Sequence, residues 1–411
     1  MGDDSGPVAA AADGGHRPAD GGHRPDDAPS APDVLASIAA EAGIRRIHLV
    51  AWRDLDDPEA GGSELHAHKV ASLWAAAGLD VTFRTSAVPD APRALTRDGY
   101  RVERRAGRYA VFPGAAWEGI RMGHRTGDAL VEIWNGMPFL SPLWYRGPRI
   151  VFLHHVHAEM WGMVLPRFLA YLGDTMERRI APRIYRSSRV VTLSESSRTE
   201  IIDLLGLRPD RVTVAPPGVD PRYSPGGQRS PTPLVVAVGR LVPVKRFDAL
   251  LRSLAKVKAD QPELQAVLIG EGNERPALEA LREELGATDW VSMPGRVDDQ
   301  ELVAWYRRAW VVASSSQREG WGMTLTEAAA CGTPAVATAI AGHADAVLEG
   351  ESGLLVEDPA ELSVALWRVL GDEVLRSRLS KGALARARWF TWDVTARRAL
   401  EALAGEAAAS S

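Results

Sequence analysis

Short apolar runs rich in β-branched residues recur along the chain, each followed by a polar or glycine-bearing loop and then a segment of helical periodicity. The first run, "RRIHLVAW" (45–52), has the composition of a buried strand, and order is expected to begin there. "RDLDDPEAGGSE" follows as a loop. "ELHAHKVASLWAAAGLD" carries Leu65, Val70, Leu73 and Trp74 at helical spacing, with Gly78 as its stop. "VTFRTS" returns as a strand, and strand, loop, helix, strand predicts a parallel βαβ unit. "ALVEIWN" (129–135), "RIVFLHH" (149–155), "RVVTLSE" (189–195) and the start of "RVTVAPPGVDP" (211–221) continue the series as strands that end in polar residues.

Residues 216–233 hold Pro216, Pro217, Pro221, Pro225, Pro231 and Pro233 with Gly226 and Gly227, the composition of a linker. A second alternating series then opens with "PLVVAVGRL" and "RFDALLRSLAKVKAD" and runs through "LQAVLIGEG", "WVSMPG", "WVVASSS" and "PAVATA". The pattern predicts an α/β protein of two Rossmann-like, doubly wound domains facing a central cleft: 33–215, the linker 216–233, and 234–390. A last helix over 391–411 is expected to pack back toward the first domain. Residues 1–32 are rich in Gly, Ala, Asp and Pro, repeat "ADGGHRP" at 12–18 and 19–25, and read as a disordered tail.

Composition narrows the function only a little. The 45% apolar and 25% charged content is that of an ordinary globular protein, and the net charge of −5 argues against a general nucleic-acid binder. One cysteine, Cys331, allows no intramolecular disulfide and fits a reducing compartment. No apolar run has the length of a membrane span, so the cytoplasm is the expected location, with the inner membrane face as a further option.

In open parallel sheets ligands sit at the carboxyl ends of strands, so the chemistry is sought there. Arg240 and Lys245 in "VGRLVPVKRFD" follow the first strand of the second series, where a guanidinium and an ammonium suit a diphosphate. "IGEGNE" lacks the last glycine of a dinucleotide fingerprint, and a tight turn explains its glycines equally well. "QREGWGMTLTEAAACGTP" (317–334) leaves a strand as a loop and starts a helix near Met323 or Thr324, whose free N–H groups can bind phosphate. Gly320 and Gly322 allow close backbone approach. Glu327 falls one turn into the helix, placed to accept from vicinal hydroxyls such as those of a ribose, while Glu319 reaches hydroxyls beyond the diphosphate. The plain structural alternatives are a carboxylate complementing the helix dipole and an exposed loop glutamate. Asp54-x-Asp56 has the form of a short metal motif but sits before a glycine loop. His66 and His68, two apart on a helix, do not face each other. No metal site is expected.

The E-x7-E spacing in "EGWGMTLTE" resembles that of the retaining glycosyltransferases of family 4, which have the GT-B fold. "PEAGGSE", "GRLVPVK", "GEGNE", "MPGRV", "AACGTPAVAT" and "GESGLLVED" resemble other segments of that family in order, over about residues 44–390. The resemblance implies a nucleotide-diphospho-sugar donor and no required cofactor. It places Glu327 on the ribose and Glu319 on the donor sugar. It puts the backbone of Gly320, Trp321, Gly322, Met323, Thr324 and Leu325 on sugar hydroxyls and phosphates, and Arg240 and Lys245 on the diphosphate. Gly61 and Gly62 would line the first domain's side of the cleft, and Arg296 and Val297 would lie near the base. A family histidine near the donor sugar corresponds to one of His154, His155 and His157, the first two favoured by their place at the strand end.

The acceptor is open: a lipid, glycan or small-molecule hydroxyl. Residues 167–189 carry six arginines and near-helical apolar spacing, a pattern that suits either weak contact with a membrane surface or a solvated helix. The arginine-rich stretch 101–125 is a second candidate, for a phosphorylated acceptor. A nucleotide-sugar epimerase or hydrolase, a phosphorylase, or a non-catalytic donor-binding subunit are the alternative readings.

Overall fold

The computed structural model describes residues 30–157, 161–162 and 166–410. The "ADGGHRP" repeat lies outside them. Order begins earlier than Arg45, with a helix over Ala31–Glu41 that buries Leu35 and Ala39 in the first core. Leu35, Ile38 and Ala39 stand at i, i+3 and i+4, a helical stripe that the surrounding Ala/Pro composition masks.

The first sheet is built from β1 (Arg46–Val50), β2 (Asp80–Thr85), β3 (Ala94–Arg97), β4 (Tyr100–Arg104), β5 (Asp128–Trp134), β6 (Arg149–Leu153), β7 (Arg189–Thr192) and β8 (Val212–Val214), in the order β3-β4-β2-β1-β5-β6-β7-β8. All its pairs are parallel except β3 with β4, an edge hairpin within a stretch that its arginines made look like surface. β9 (Leu234–Val238), β10 (Gln265–Ile269), β11 (Val291–Gly295), β12 (Val311–Ser314), β13 (Ala335–Thr338) and β14 (Gly353–Val356) form the second sheet, wholly parallel, in the order β11-β10-β9-β12-β13-β14. "LVVAV", "QAVLI" and "VVAS" are continuous apolar runs because helices cover both faces of this sheet. The strand order reverses beside β1 in one sheet and β9 in the other, which is where an open sheet splays its loops to make a crevice.

The helix Trp392–Ser410 does not belong to the second core. Its Ala396, Leu400, Leu403 and Ala407 are buried with Leu35, Ile47 and Trp74 of the first domain. The Trp74 indole donates to the Ala396 carbonyl at 3.1 Å. The chain therefore passes between domains twice, and the two passages touch. Val219 N–H bonds to Phe390 O at 3.0 Å, and a Cβ on Gly218 would lie 2.1 Å from the Trp392 nitrogen.

Candidate active site

β9 and β12 are neighbours, so the loops that leave them meet. After β9 the chain turns through Gly239 and Arg240 into a 3-10 turn, Pro243–Lys245. After β12 it runs through Ser315 and Ser316 to Gly322, where the helix Met323–Ala330 begins. The Ser315 hydroxyl donates to the carbonyls of Lys245 and Arg246 at 3.0 and 2.7 Å, and Gln317 N–H donates to Val244 O at 2.8 Å, which ties the loops together.

Lys245 and Glu319 form an ion pair, and the Ser316 hydroxyl donates to the same carboxylate oxygen at 2.8 Å. Burial is the largest single influence and pushes the Glu319 carboxyl up, but Lys245, His343 and the Ser316 hydroxyl together outweigh it and the net shift is downward, so the group is ionised. Glu327 has the opposite environment. It is buried beneath the helix start and accepts from Tyr306 Oη at 3.1 Å. Desolvation dominates there and raises the carboxyl from 4.5 to about 7, against the hydrogen bond from Tyr306 and the charge of Arg222. Two glutamates eight positions apart thus differ near pH 7: Glu319 is ionised and Glu327 is poised between its charged and neutral forms.

The other wall comes from the first domain. A Cβ on Gly320 would lie 2.6 Å from the carbonyl oxygen of His154, so only glycine permits this approach of loop to loop. Ser194 and Ser197 donate to Gly320 O at 3.3 Å, and Ser196 N–H donates to Asp345 Oδ2 at 3.2 Å. Arg318 donates to Val156 O at 3.0 Å and pairs with Glu200. A Cβ on Gly62 would sit 3.0 Å from Met323 Sδ, and one on Gly61 4.0 Å from Arg240 Nε, so the glycine loop faces both. Glu64 fixes that loop by accepting from Gly61 N–H at 2.9 Å and from Arg53 Nε at 3.2 Å. Arg240 is exposed and has no ion-pair partner among the described residues.

The three histidines separate. His154 is buried with its Nε2 3.2 Å from His66 Nδ1, and burial, then the nearby His155, lower it to about 3. His157 stacks on His155 with ring centroids 4.7 Å apart, and its N–H donates to Glu177 at 2.8 Å. His155 is half-buried and feels Arg318, Glu319, Arg240 and Lys245. Burial first, then Arg318, lower it to about 4, so its ring is neutral near pH 7. Its Nε2 is buried without a hydrogen-bond partner.

Some expected residues hold positions other than the obvious ones. The Trp321 indole is buried edge-to-face against Phe390, with centroids 4.9 Å apart, so only its backbone can face the cleft. Arg296 reaches across to the Pro58 carbonyl, and Val297 is partly buried against the core cluster that includes Trp321 and Leu325. Asp54 is buried between Arg97 (2.8 Å), Arg104 (2.6 Å) and His68 (3.2 Å), an internal ion cluster. Among the described residues no group of three or more His, Cys, Asp or Glu is placed to hold a metal. Of the arginine-rich stretch, Arg101, Arg104, Arg105 and Arg108 are spent on Glu103, Asp54, Glu118 and Glu59. The sequence reading missed Tyr306, Ser316 and His343. His343 is buried, with Nδ1 2.9 Å from Thr338 O and Nε2 3.3 Å from Ser314 Oγ, behind the Glu319 loop. Its place after a strand end was the one available signal; Tyr306 looks like any core aromatic of an amphipathic helix.

Two switch-point sheets opposed across a loop-lined cleft, with an acidic and basic cluster at the carboxyl ends of one sheet, define a two-domain group-transfer fold. Residues 60–223 match Glycosyltransferase Family 4 and residues 224–386 match Glycosyl transferases group 1. A D-inositol 3-phosphate glycosyltransferase of Stackebrandtia nassauensis is 37% identical over 86% of this chain and 90% of its own. One from Frankia alni is 38% identical over 52% of this chain and 58% of its own length, so that match spans little more than half of the relative. Among solved structures, sucrose-phosphate synthase of Thermosynechococcus elongatus superposes with a TM-score of 0.73 at 21% identity, over 86% of this chain and 96% of that one. Alr3699/HepE of Anabaena, in complex with UDP and glucose, gives 0.67 at 19% identity, over 86% and 98%. The chain belongs to glycosyltransferase family 4 and has the GT-B fold. It is a glycosyltransferase.

Proposed function

We propose that the cleft binds a nucleotide-diphospho-sugar, a UDP- or GDP-sugar, and transfers the sugar to a hydroxyl of a lipid, glycan or small molecule with retention of anomeric configuration. The observation that carries this reading is the Lys245–Glu319 pair, which joins the loop bearing Arg240 to the loop that starts the helix Met323–Ala330. A pyrophosphate entering there exchanges for Glu319 on Lys245 and gains Arg240 and the helix N–H groups. Glu319, released, turns to the hydroxyls of the donor sugar. Glu327 accepts from the ribose hydroxyls below, with Gly61 and Gly62 close above the phosphates and Arg296 and Val297 toward the base. The Anabaena neighbour's complex with UDP and glucose supports a nucleotide-linked donor, and the curated relatives' name supports glycosyl transfer.

In the reaction the bond from anomeric carbon to phosphate oxygen breaks and negative charge grows on the leaving diphosphate. Arg240, Lys245 and the helix N-terminus stabilise it, the kind of term that usually contributes most to catalysis. The acceptor oxygen attacks from the same face, and its proton passes to the departing phosphate. In this reading His155, neutral and with an Nε2 that no described residue bonds, holds a hydroxyl of the transferred sugar, and His154 supports the loop from inside through His66. The test is incubation with UDP- and GDP-sugars plus lipid and small-molecule acceptors, following nucleoside diphosphate release and the anomeric configuration of the product. Acceptor-dependent release with retention supports transfer as stated. Donor loss without acceptor indicates an epimerase or hydrolase. Nucleotide binding without turnover under any acceptor indicates a donor-binding subunit.

A further inference from the structure

Residues 166–186 form a broken helix: Arg167–Thr175, a π turn Met176–Ile180, then Ala181–Tyr185. Its inner side is tied to the site. Glu177 is fully buried and takes the His157 N–H at 2.8 Å and the Trp161 indole N–H at 3.1 Å. Gly173 lies directly under Trp161, where a Cβ would meet the ring at 2.7 Å. The outer side exposes large apolar side chains. Phe168 is 71% exposed, Tyr171 60%, Leu169 48% and Leu172 46%. At 100° per residue these four fall within one arc of about 160°. Around them Arg167, Arg178, Arg179, Arg183 and Arg186 are exposed. Asp174 is the only partly exposed carboxylate in the segment and lies 3.6 Å from Arg178; the other four arginines have no carboxylate partner among the described residues. Five arginines less Asp174 and the buried Glu177 give the segment a formal charge of +3 on a chain whose net charge is −5.

We propose that this face docks the enzyme on an anionic lipid bilayer, with Phe168, Leu169, Tyr171 and Leu172 entering the headgroup boundary and the arginine rim lying against lipid phosphates. Exposed aromatics and aliphatics on one side of a helix, rimmed by guanidinium groups, are what an interfacial segment needs. No described helix is long and apolar enough to cross a membrane, so the contact is with the surface. A second copy of the chain is the poorer occupant, because a two-fold contact would set five arginines against five. Docking through this helix brings His157 and Trp161, both held by Glu177, and with them the first domain's side of the cleft, to the lipid surface. If the cleft transfers sugar as proposed above, the acceptor hydroxyl then arrives from the bilayer.

The experiment is cosedimentation of the full chain with vesicles of phosphatidylcholine alone and of phosphatidylcholine doped with phosphatidylglycerol, at low and high salt. The expected result is partition onto the anionic vesicles only, weakened by salt. The pair Arg167→Gln and Arg179→Gln should lower it about 25-fold, at roughly fivefold per arginine, and Phe168→Glu with Leu172→Glu should abolish it. All four side chains are exposed, so unchanged thermal melting of each variant shows that the fold is intact. Protein left in the supernatant with anionic vesicles at low salt overturns the proposal. So does equal binding to both vesicle types, or a dimer that Phe168→Glu dissociates while vesicle binding is unaltered. Nucleoside diphosphate release is followed in parallel. Release without vesicle binding refutes this surface and leaves the transferase reading standing; vesicle binding without release does the reverse.

Discussion

Glu327→Gln is expected to make the protein more stable and a poorer binder of its donor. The carboxyl stands at about 7 against an ordinary 4.5, a difference of about 2.5 units, because burial costs the ionised form more than Tyr306 and Arg222 return. Each unit is about 1.4 kcal/mol, so holding this side chain ionised in the empty cleft costs about 3 kcal/mol. The sign follows from proton counting. Between pH 4.5 and 7 the folded protein binds the proton that the unfolded chain has released, so stability falls as pH rises through that window and levels off above it. Glutamine keeps an acceptor for Tyr306 and has no proton to lose. Relative to wild type, the variant should gain about 3 kcal/mol at pH 8 and less than about 1 kcal/mol at pH 5. The same change removes a charged acceptor for ribose hydroxyls, and hydrogen bonds to charged groups contribute about 1.5–3 kcal/mol, or roughly 10- to 100-fold in Kd. Denaturant melts at pH 5 and pH 8, with calorimetric titration of UDP and GDP, measure both. A variant no more stable than wild type at pH 8, or one that binds the preferred nucleoside diphosphate as tightly, would refute the reasoning.

Lys245→Ala should reduce turnover about 100-fold, as loss of one preorganised donor to a growing negative charge does, seen as kcat for nucleoside diphosphate release; it should also raise the Glu319 pKa, because the cation that holds it down is gone. Glu319→Gln should depress kcat more than nucleotide affinity, measured by comparing kcat with the Kd for UDP or GDP. Gly320→Ala puts a methyl 2.6 Å from the His154 carbonyl and should push the two loops apart, lowering kcat while leaving far-ultraviolet dichroism unchanged. Leu403→Ala opens a cavity in the first core and should cost about 2–5 kcal/mol in a denaturant melt, although the residue lies beyond the second domain in sequence.

The parts of this molecule that were legible in its sequence are those where local pattern and environment agree. β9, β10 and β12 are buried on both faces, so their apolar runs announce them, and the loops after β9 and β12 carry glycines and charges that only a ligand site or a tight turn would need. What could not be read depends on partners distant in sequence. Tyr306 looks like core until the helix bearing it is laid beside Glu327. The β3–β4 hairpin is an edge, where arginines such as Arg104 are tolerated because Asp54, fifty positions earlier, comes to meet them. The choice among His154, His155 and His157 rests on rotation about a strand end, and a string of adjacent histidines carries no signal of which ring turns inward to His66.

The return of the helix Trp392–Ser410 to the first core bears on how the chain is made. A ribosome that has delivered residues 46–214 has released every strand of the first sheet, but not the helix whose Ala396, Leu400 and Leu403 close one side of it. That side stays open to solvent while the whole second domain is synthesised and can fold. The domain begun first is therefore the one completed last, and a nascent chain stalled before Trp392 would present a finished second domain beside an unsealed first one.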